Sequence, residues 1–257
     1  MAEVKGNDTM NAIGIIPARY HSTRFEGKVL ADLCGKPVIQ HVYENAKKAR
    51  ILDDLVVACD DERILKVVEQ FGGKVTLTAK GHETGTDRLS EVVQPLEVKV
   101  VANIQADEPF VRPEMLHHLV SALLEDKKAV MATLMVRIHN SEEIRNPNVV
   151  KVVTDKHGYA LYFSRTPIPY YRDEKAQQRQ AYFKHLGFYS YTKDFLFTFR
   201  NLPSSKLEKA EKLEQLRVLE HGYKIRVIET PFNTIGIDTP QDLEMARKKM
   251  QVETIHA

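Results

Sequence analysis

The chain has little cysteine: Cys34 and Cys59 are its only two in 257 residues. Two cysteines cannot form a disulfide framework and fit a reducing compartment best. No apolar run approaches the ~20 residues of a membrane-spanning helix. Residues Met1 to Met10 are polar and lack the apolar stretch of a signal peptide. Twelve glycines are too few for a collagen repeat. Charge of one sign is also missing. Lys and Arg total 37 and Asp and Glu 35, so the formal net charge is +2 and there is no global attraction to nucleic acid. What is present is ordinary for a globular chain. Hydrophobic residues make up 43% and charged residues 28%, enough apolar material for a core. These proportions point to a cytoplasmic α/β protein without stable membrane association.

The order of elements is legible along the chain. The apolar run Asn11 to Arg19 reads as a buried parallel strand running into a loop, and Leu55 to Asp60 as a second strand. A helix follows from Asp61 to Phe71, closed by Gly72 and Gly73. Lys74 to Thr78 and Val98 to Asp107 read as further strands, the last ending in acid. Pro37 to Arg50, Met115 to Glu125 and a segment capped by Thr86 read as helices. This alternation predicts a mostly parallel, doubly wound sheet flanked by helices. After the strand Ala129 to Ile138 the grammar changes. Val149 to Thr154 and Tyr159 to Phe163 flank the turn Asp155-Lys156-His157-Gly158 as a β-hairpin, and Tyr182 to Tyr191 is another β run. We expect a smaller β-rich insertion at about 139–200 within one domain spanning 11–257, after a polar tail, 1–10. A helix, Lys206 to Glu220, and a strand, Lys224 to Glu229, return the chain to the core. The last helix starts at Pro240, with Thr239 at the cap and Asp242 three residues on.

Six segments carry candidate chemistry. Pro17-Ala18-Arg19 to Lys28 places three cations and a glycine after the first strand, where an open α/β sheet binds ligands. Backbone N–H groups with Lys or Arg suit a triphosphate; a solvated basic loop reads equally well. The spacing matches neither the Walker pattern nor the dinucleotide fingerprint. Gln105-Ala106-Asp107-Glu108 ends an apolar strand in carboxylates, suiting either Mg²⁺ or a helix cap. Asp238 stands before the last helix; it and Asp107 share one ion only if both reach the same sheet edge. Thr84, Gly85, Thr86 and Arg88 form a polar loop that suits a base edge or a plain helix start. Arg165 ends a strand, a place that suits a bidentate carboxylate contact. His185 is by itself more in keeping with a structural role. On one helix Leu207, Ala210, Glu214 and Val218 would share a face, so Glu214, next to Gln215, would interrupt an apolar stripe, with Arg217 as its plain partner.

Taken together, the strings IIPARYHSTRFEGK, HETGTDRL, NIQADEP, NPNVVKVV, GYALYFSR, KHLGFYSY, KLEQLRVLEHG and GIDTPQDLE resemble the CMP-Kdo synthetase family, the 3-deoxy-manno-octulosonate cytidylyltransferases of lipopolysaccharide synthesis. The resemblance covers the chain beyond Met10. It implies a Rossmann-like nucleotidyltransferase fold, CTP and Kdo as substrates, Mg²⁺ and a homodimer, with the insertion supplying sugar binding and the dimer interface. It places phosphate binding on Arg19 and Lys28, the metal on Asp107 and Asp238, and the nucleotide on Pro17, Ala18, Thr84 to Arg88 and Gln105. The acid sugar falls to Arg165, His185, Glu214 and Gln215. A related acid sugar (8-amino-Kdo or a nonulosonic acid) and a non-catalytic nucleotide-binding regulator are the alternatives. One residue departs from the pattern: Ala106 stands where the family has Gly, and its methyl fits if φ there is negative.

Overall fold

The computed structural model describes residues 10–82, 85–172 and 181–255. The chain divides into two compact units, one made of residues up to His117 and from Thr234 onward, the other of His118–Asn233.

The first unit holds strands β1 (Met10–Ala18), β2 (Asp32–Leu33), β3 (Lys36–Pro37), β4 (Asp54–Cys59), β5 (Val75–Leu77) and β6 (Val98–Asn103). Its helices are α1 (Val38–Ala46), α2 (Glu62–Gln70) and α3 (Gly85–Val93). Four of its strands pair in parallel in the order β6-β1-β4-β5. β1 is central, with Ile15 opposite Val56 on one side and Asn103 on the other. Ala12, Ile15, Ile16 and Ala18 are all fully buried, which is why this strand reads as a continuous apolar run rather than an alternation. It begins at Met10, inside the expected tail; residues 1–9 lie outside the described residues. α2 starts as expected, with Asp61 accepting from the Arg63 N–H, and ends at Gly72, whose φ is +75°. β6 is shorter than expected. It stops at Asn103, and Asp107 lies in the turn that follows.

The chain passes into the second unit through α4 (Pro113–Glu125). There follow β7 (Met131–Arg137), α5 (Ser141–Arg145), β8 (Lys151–Thr154), β9 (Ala160–Ser164), β10 (Phe183–Thr192), α6 (Lys193–Asn201), α7 (Lys206–Glu211), α8 (Gln215–Glu220) and β11 (Ile225–Glu229). The long α9 (Pro240–Ile255) belongs to the first unit. β7 is flanked by parallel β11 and antiparallel β10, and the β8–β9 hairpin pairs with β10. The region at about 139–200 therefore lies within a larger unit that contains helices as well as strands. β11, the expected strand Lys224 to Glu229, runs parallel to β7, with Val227 opposite Thr133. The expected helix Lys206 to Glu220 is two helices. Ser205 and Glu208 form a capping box that starts α7, and Lys212 ends it with φ +54°. Leu207 is partly exposed, so Leu207, Ala210, Glu214 and Val218 do not make one stripe.

Ile15 has no exposed surface and neighbours on both sides, so Ile15→Ala should lower the unfolding free energy by roughly 2–5 kcal/mol in urea titrations with an unchanged m-value. A loss below ~1 kcal/mol would show that β1 is not the packed centre of its sheet.

Candidate active site

The site in the first unit is built by three segments. The loop after β1 is closed by a hydrogen bond from the Gly27 N–H to the Tyr20 carbonyl, 2.9 Å. Gly27 has φ +66°, which favours glycine, and a Cβ there would lie 3.2 Å from the Tyr20 ring, which would have to shift by a few tenths of an ångström. A short 3₁₀ turn, Lys28–Leu30, follows directly and fixes Lys28. After β6, the Glu108 N–H donates to the Gln105 carbonyl at 3.2 Å, making the turn that carries Asp107. The Ile237 N–H then donates to the Asp107 carbonyl at 2.9 Å and brings Asp238 alongside. Asp242 Oδ2 accepts from the backbone N–H groups of Asp238 and Thr239, while Thr239 Oγ1 accepts from the Asp242 N–H. This reciprocal cap starts α9 as expected. Beneath it, Phe110 and Ile237 share one buried cluster with Leu33, Val38, Leu243 and Ala246.

The result is a cation between two carboxylates. Lys28 Nζ donates to Asp107 Oδ2 at 2.5 Å and to Asp238 Oδ1 at 2.8 Å. Arg24 reaches the same Asp238 oxygen at 2.9 Å. Burial alone would lower the Lys28 pKa, but the two carboxylates outweigh it and hold the ammonium above its ordinary value. Burial would likewise raise Asp238; the hydrogen bond and charge of Lys28, with help from Arg24, bring it below the usual carboxylate range.

A cavity of about 400 Å³ opens on this group. Pro17, Arg19, Lys28, Gly85, Gln105 and Asp107, all expected on the nucleotide side, line it. So do His21, Ser22 and Thr23, which were not singled out. Arg19 is steered by a 2.6 Å bond from Nη2 to the His82 carbonyl, and His82 is itself bonded to Glu91. Ala18 is buried in β1. Ala106 also lines the cavity. Among the described residues only Cys34 and Lys212 are non-glycine positions with positive φ, so the extra methyl of Ala106 carries no backbone strain.

Two nucleotide-side expectations need correction, and one falls on a residue not described. Arg88 is fully buried and spent on Asp60 Oδ2 at 2.8 Å and on the Thr78 hydroxyl, so it braces β4, β5 and α3 rather than presenting a guanidinium. Thr86 is not a cap. α3 begins at Gly85, and the Thr86 side chain is buried within the first turn. Thr84 lies outside the described residues.

Arg165, His185, Glu214 and Gln215 all fall in the second unit. Gly187 sits where the β10–β7 register shifts between Leu186 and Tyr189. Next to this bulge the Thr133 hydroxyl lies 2.8 Å from the Phe188 carbonyl and 3.1 Å from the Leu186 carbonyl. Its single proton is directed at these carbonyls, so it accepts at 2.9 Å from His185 Nε2, which assigns the proton to Nε2 and leaves Nδ1 an acceptor. The ring packs edge-on against Phe163, with centroids 4.9 Å apart. Burial pushes its pKa down to about 3. Arg165 donates from Nε to the Glu211 carbonyl at 2.6 Å and from Nη1 to the Pro147 carbonyl at 2.9 Å. Its terminal nitrogens carry four N–H groups, and among the described residues the bond to Pro147 and a 3.4 Å contact to the Lys212 carbonyl draw on them. Glu214 lies just before α8, 3.7 Å from the Arg217 guanidinium, and Gln215 is buried. Arg217 is held more closely by Glu208, Nε to Oε2 at 2.8 Å. The acid at 214 is thus set at a helix start, not in the middle of an apolar face.

A parallel sheet whose carboxyl edge gathers a basic loop and a carboxylate pair defines a nucleotide-binding α/β enzyme. A family model described as cytidylyltransferase matches residues 13–225, and the chain belongs to that family. The 3-deoxy-manno-octulosonate cytidylyltransferase of Geotalea uraniireducens (strain Rf4) is 49% identical over 250 residues, covering 94% of this chain and 100% of its own. A solved structure of CMP:2-keto-3-deoxy-manno-octonic acid synthetase complexed with CTP is 43% identical, with a TM-score of 0.89 over 95% of this chain and 99% of that one. The 4-diphosphocytidyl-2C-methyl-D-erythritol synthase of Anaerococcus prevotii DSM 20548, at 16% identity and a TM-score of 0.62, shares the fold; it spans 94% of this chain and 98% of its own.

The low His185 pKa has a definite sign. Between pH 6.5 and about 3 the unfolded chain binds a proton at this position that the folded chain does not, so stability falls as pH drops through that window, by up to about 1.4 kcal/mol per pH unit. Unfolding free energies of wild type and His185→Gln at pH 7, 6, 5 and 4 check this. The variant should show a shallower acid decline, and parallel curves would contradict a neutral buried imidazole.

Proposed function

We propose that this chain transfers CMP from CTP to the anomeric hydroxyl of Kdo, forming CMP-Kdo and pyrophosphate for lipopolysaccharide synthesis. The observation that carries the reading is the bridge from Lys28 to Asp107 and Asp238 at the mouth of a cavity lined by Arg19 and Gln105. The 94% coverage of this chain by a relative of that activity supports the choice of substrates. The hydroxyl oxygen forms a bond to the α-phosphorus, the bond to the β-phosphate oxygen breaks, and the hydroxyl proton is released. The protein's task is alignment and charge neutralisation. Arg19 and Lys28 hold the triphosphate and stabilise the departing pyrophosphate. Arg165 receives the sugar carboxylate, His185 Nδ1 accepts from a sugar hydroxyl, and Glu214 and Gln215 complete the sugar side.

The carboxylate pair fits a magnesium ion. Two carboxylates already lie around one small cation, Nζ of Lys28, and Mg²⁺ takes one or two protein carboxylates beside water and phosphate oxygens. Asp107 and Asp238 would hold it; bound there, Mg²⁺ neutralises phosphate charge and lowers the pKa of a hydroxyl. We further propose a homodimer acting in the cytoplasm. Among the described residues no helix is long and apolar enough to cross a membrane.

Pyrophosphate release with CTP, UTP, ATP and GTP against Kdo, 8-amino-Kdo and a nonulosonic acid tests the reading. CTP with Kdo should be preferred. Equal use of ATP, or no turnover with any acid sugar, would overturn it. Within the same assay Arg165→Ala should raise the sugar KM about thirty-fold or more and leave the CTP KM nearly unchanged. A collapse of CTP binding with the sugar KM intact would put Arg165 in the wrong half of the site.

A further inference from the structure

Lys151 opens β8 with no exposed surface, an unusual place for an ammonium. Its Nζ donates to three backbone carbonyls: Val149 at 2.6 Å, Arg165 at 2.6 Å and Asn146 at 3.0 Å. Three converging acceptors require three N–H donors. A neutral amine has two and would turn its lone pair toward a carbonyl, so the group is held as the cation. Burial lowers its pKa, the charge of Glu211 opposes that, and the charge of Arg165 adds to the lowering.

The choice of acceptors is informative. Asn146 and Val149 bracket Pro147, whose carbonyl accepts from Arg165 Nη1. The third acceptor is the carbonyl of Arg165 itself. One ammonium therefore ties down both the backbone from which this arginine springs and the loop that orients its guanidinium. Glu211 holds the other side, with Oε2 accepting from the Arg165 N–H at 2.9 Å, Oε1 from the Ser164 hydroxyl at 2.8 Å, and its carbonyl from Arg165 Nε. An apolar residue would fill the volume of Lys151 without the cost of burying a charge, and would join none of these segments.

We infer that Lys151 is a positioning residue for the acid-sugar site: through its three carbonyl bonds it sets the direction of Arg165 and thereby the affinity for the sugar carboxylate. The inference rests on the reading of Arg165 given under the proposed function. It does not make Lys151 a contact of the sugar.

The test is a cycle of Lys151→Met, Arg165→Ala and the double variant, with sugar and CTP varied separately and thermal melts recorded. Lys151→Met should raise the sugar KM roughly tenfold and leave the CTP KM within about twofold. In the Arg165→Ala background it should add nothing. Lys151→Gln, which keeps two donors, should lose less and serves in its place if the Met variant does not fold. A sugar KM unmoved by Lys151→Met or Lys151→Gln while Arg165→Ala raises it would overturn the inference, as would effects that multiply in the double variant. A second readout does not depend on the sugar. The Arg165 Nε–H, bonded to the Glu211 carbonyl, should give a slowly exchanging ¹⁵N-coupled proton signal, assigned by its absence in Arg165→Ala. Its loss in the Lys151 variants supports the positioning role, and its persistence refutes it. If Arg165→Ala leaves the sugar KM unchanged, the sugar-site reading fails and this signal alone decides whether Lys151 holds Arg165.

Discussion

Everything at the candidate active site of the first unit depends on one cation held between two anions. Asp107 and Asp238 would repel each other in a partly desolvated site. Lys28 removes that repulsion and is kept charged by it. Its partners lie 79 and 210 residues away along the chain, so the pair exists only in the folded state. The fold delivers each group by a different local device. Gly27 makes the turn that launches Lys28, a hydrogen bond from Ile237 to the Asp107 carbonyl aligns the two acidic segments, and the Thr239–Asp242 cap fixes Asp238 at the head of α9. The buried cluster under Phe110 and Ile237 makes the arrangement part of the core rather than a loop decoration.

The second unit solves a related problem by other means. It carries polar side chains on strands and short helices, braced by backbone carbonyls at Arg165 and Lys151 and by side chains at His185 and Glu214. At the bulge by Gly187 the Thr133 hydroxyl bonds the Leu186 and Phe188 carbonyls and accepts from His185, and burial there keeps the imidazole neutral with one ring nitrogen available as an acceptor. Lys151 and Glu211 brace Arg165 from two sides. In both units the groups proposed to meet ligand are set by contacts made before any ligand arrives, which keeps the ordering cost of binding low.

Strands whose burial is two-sided were legible in the sequence, because nothing else makes a run like NAIGIIPA. Helix starts with local caps were legible too, as at Asp61 and Thr239. The acidic pair was readable as a candidate, though not its delivery: Asp107 sits in a turn beyond β6 and Asp238 in an irregular segment before α9, and the backbone bond from Ile237 and the Lys28 ammonium join them. Three features escaped for physical reasons. In α6, Phe195, Phe197 and Phe199 recur every second residue and obscure a helix that Thr192 caps. Between α7 and α8 the break falls at Lys212, a left-handed residue that is neither Gly nor Asn, so no punctuation marks it. Arg88 and Lys151 are charged, and charge reads as surface unless the partners (Asp60 in one case, three carbonyls in the other) are already known. Arg24 was visible as the third cation of its loop, but nothing in the spacing separated it from the solvated ones.

The central claim is that Lys28 and the acidic pair act as one electrostatic unit created by folding. A double-mutant cycle in urea at pH 7 with Lys28→Met, Asp107→Asn and the pair of them measures this directly. The account predicts a coupling energy of roughly 0.5–3 kcal/mol, with the double variant less destabilised than the sum of the singles. Losses that add to within about 0.3 kcal/mol would contradict it.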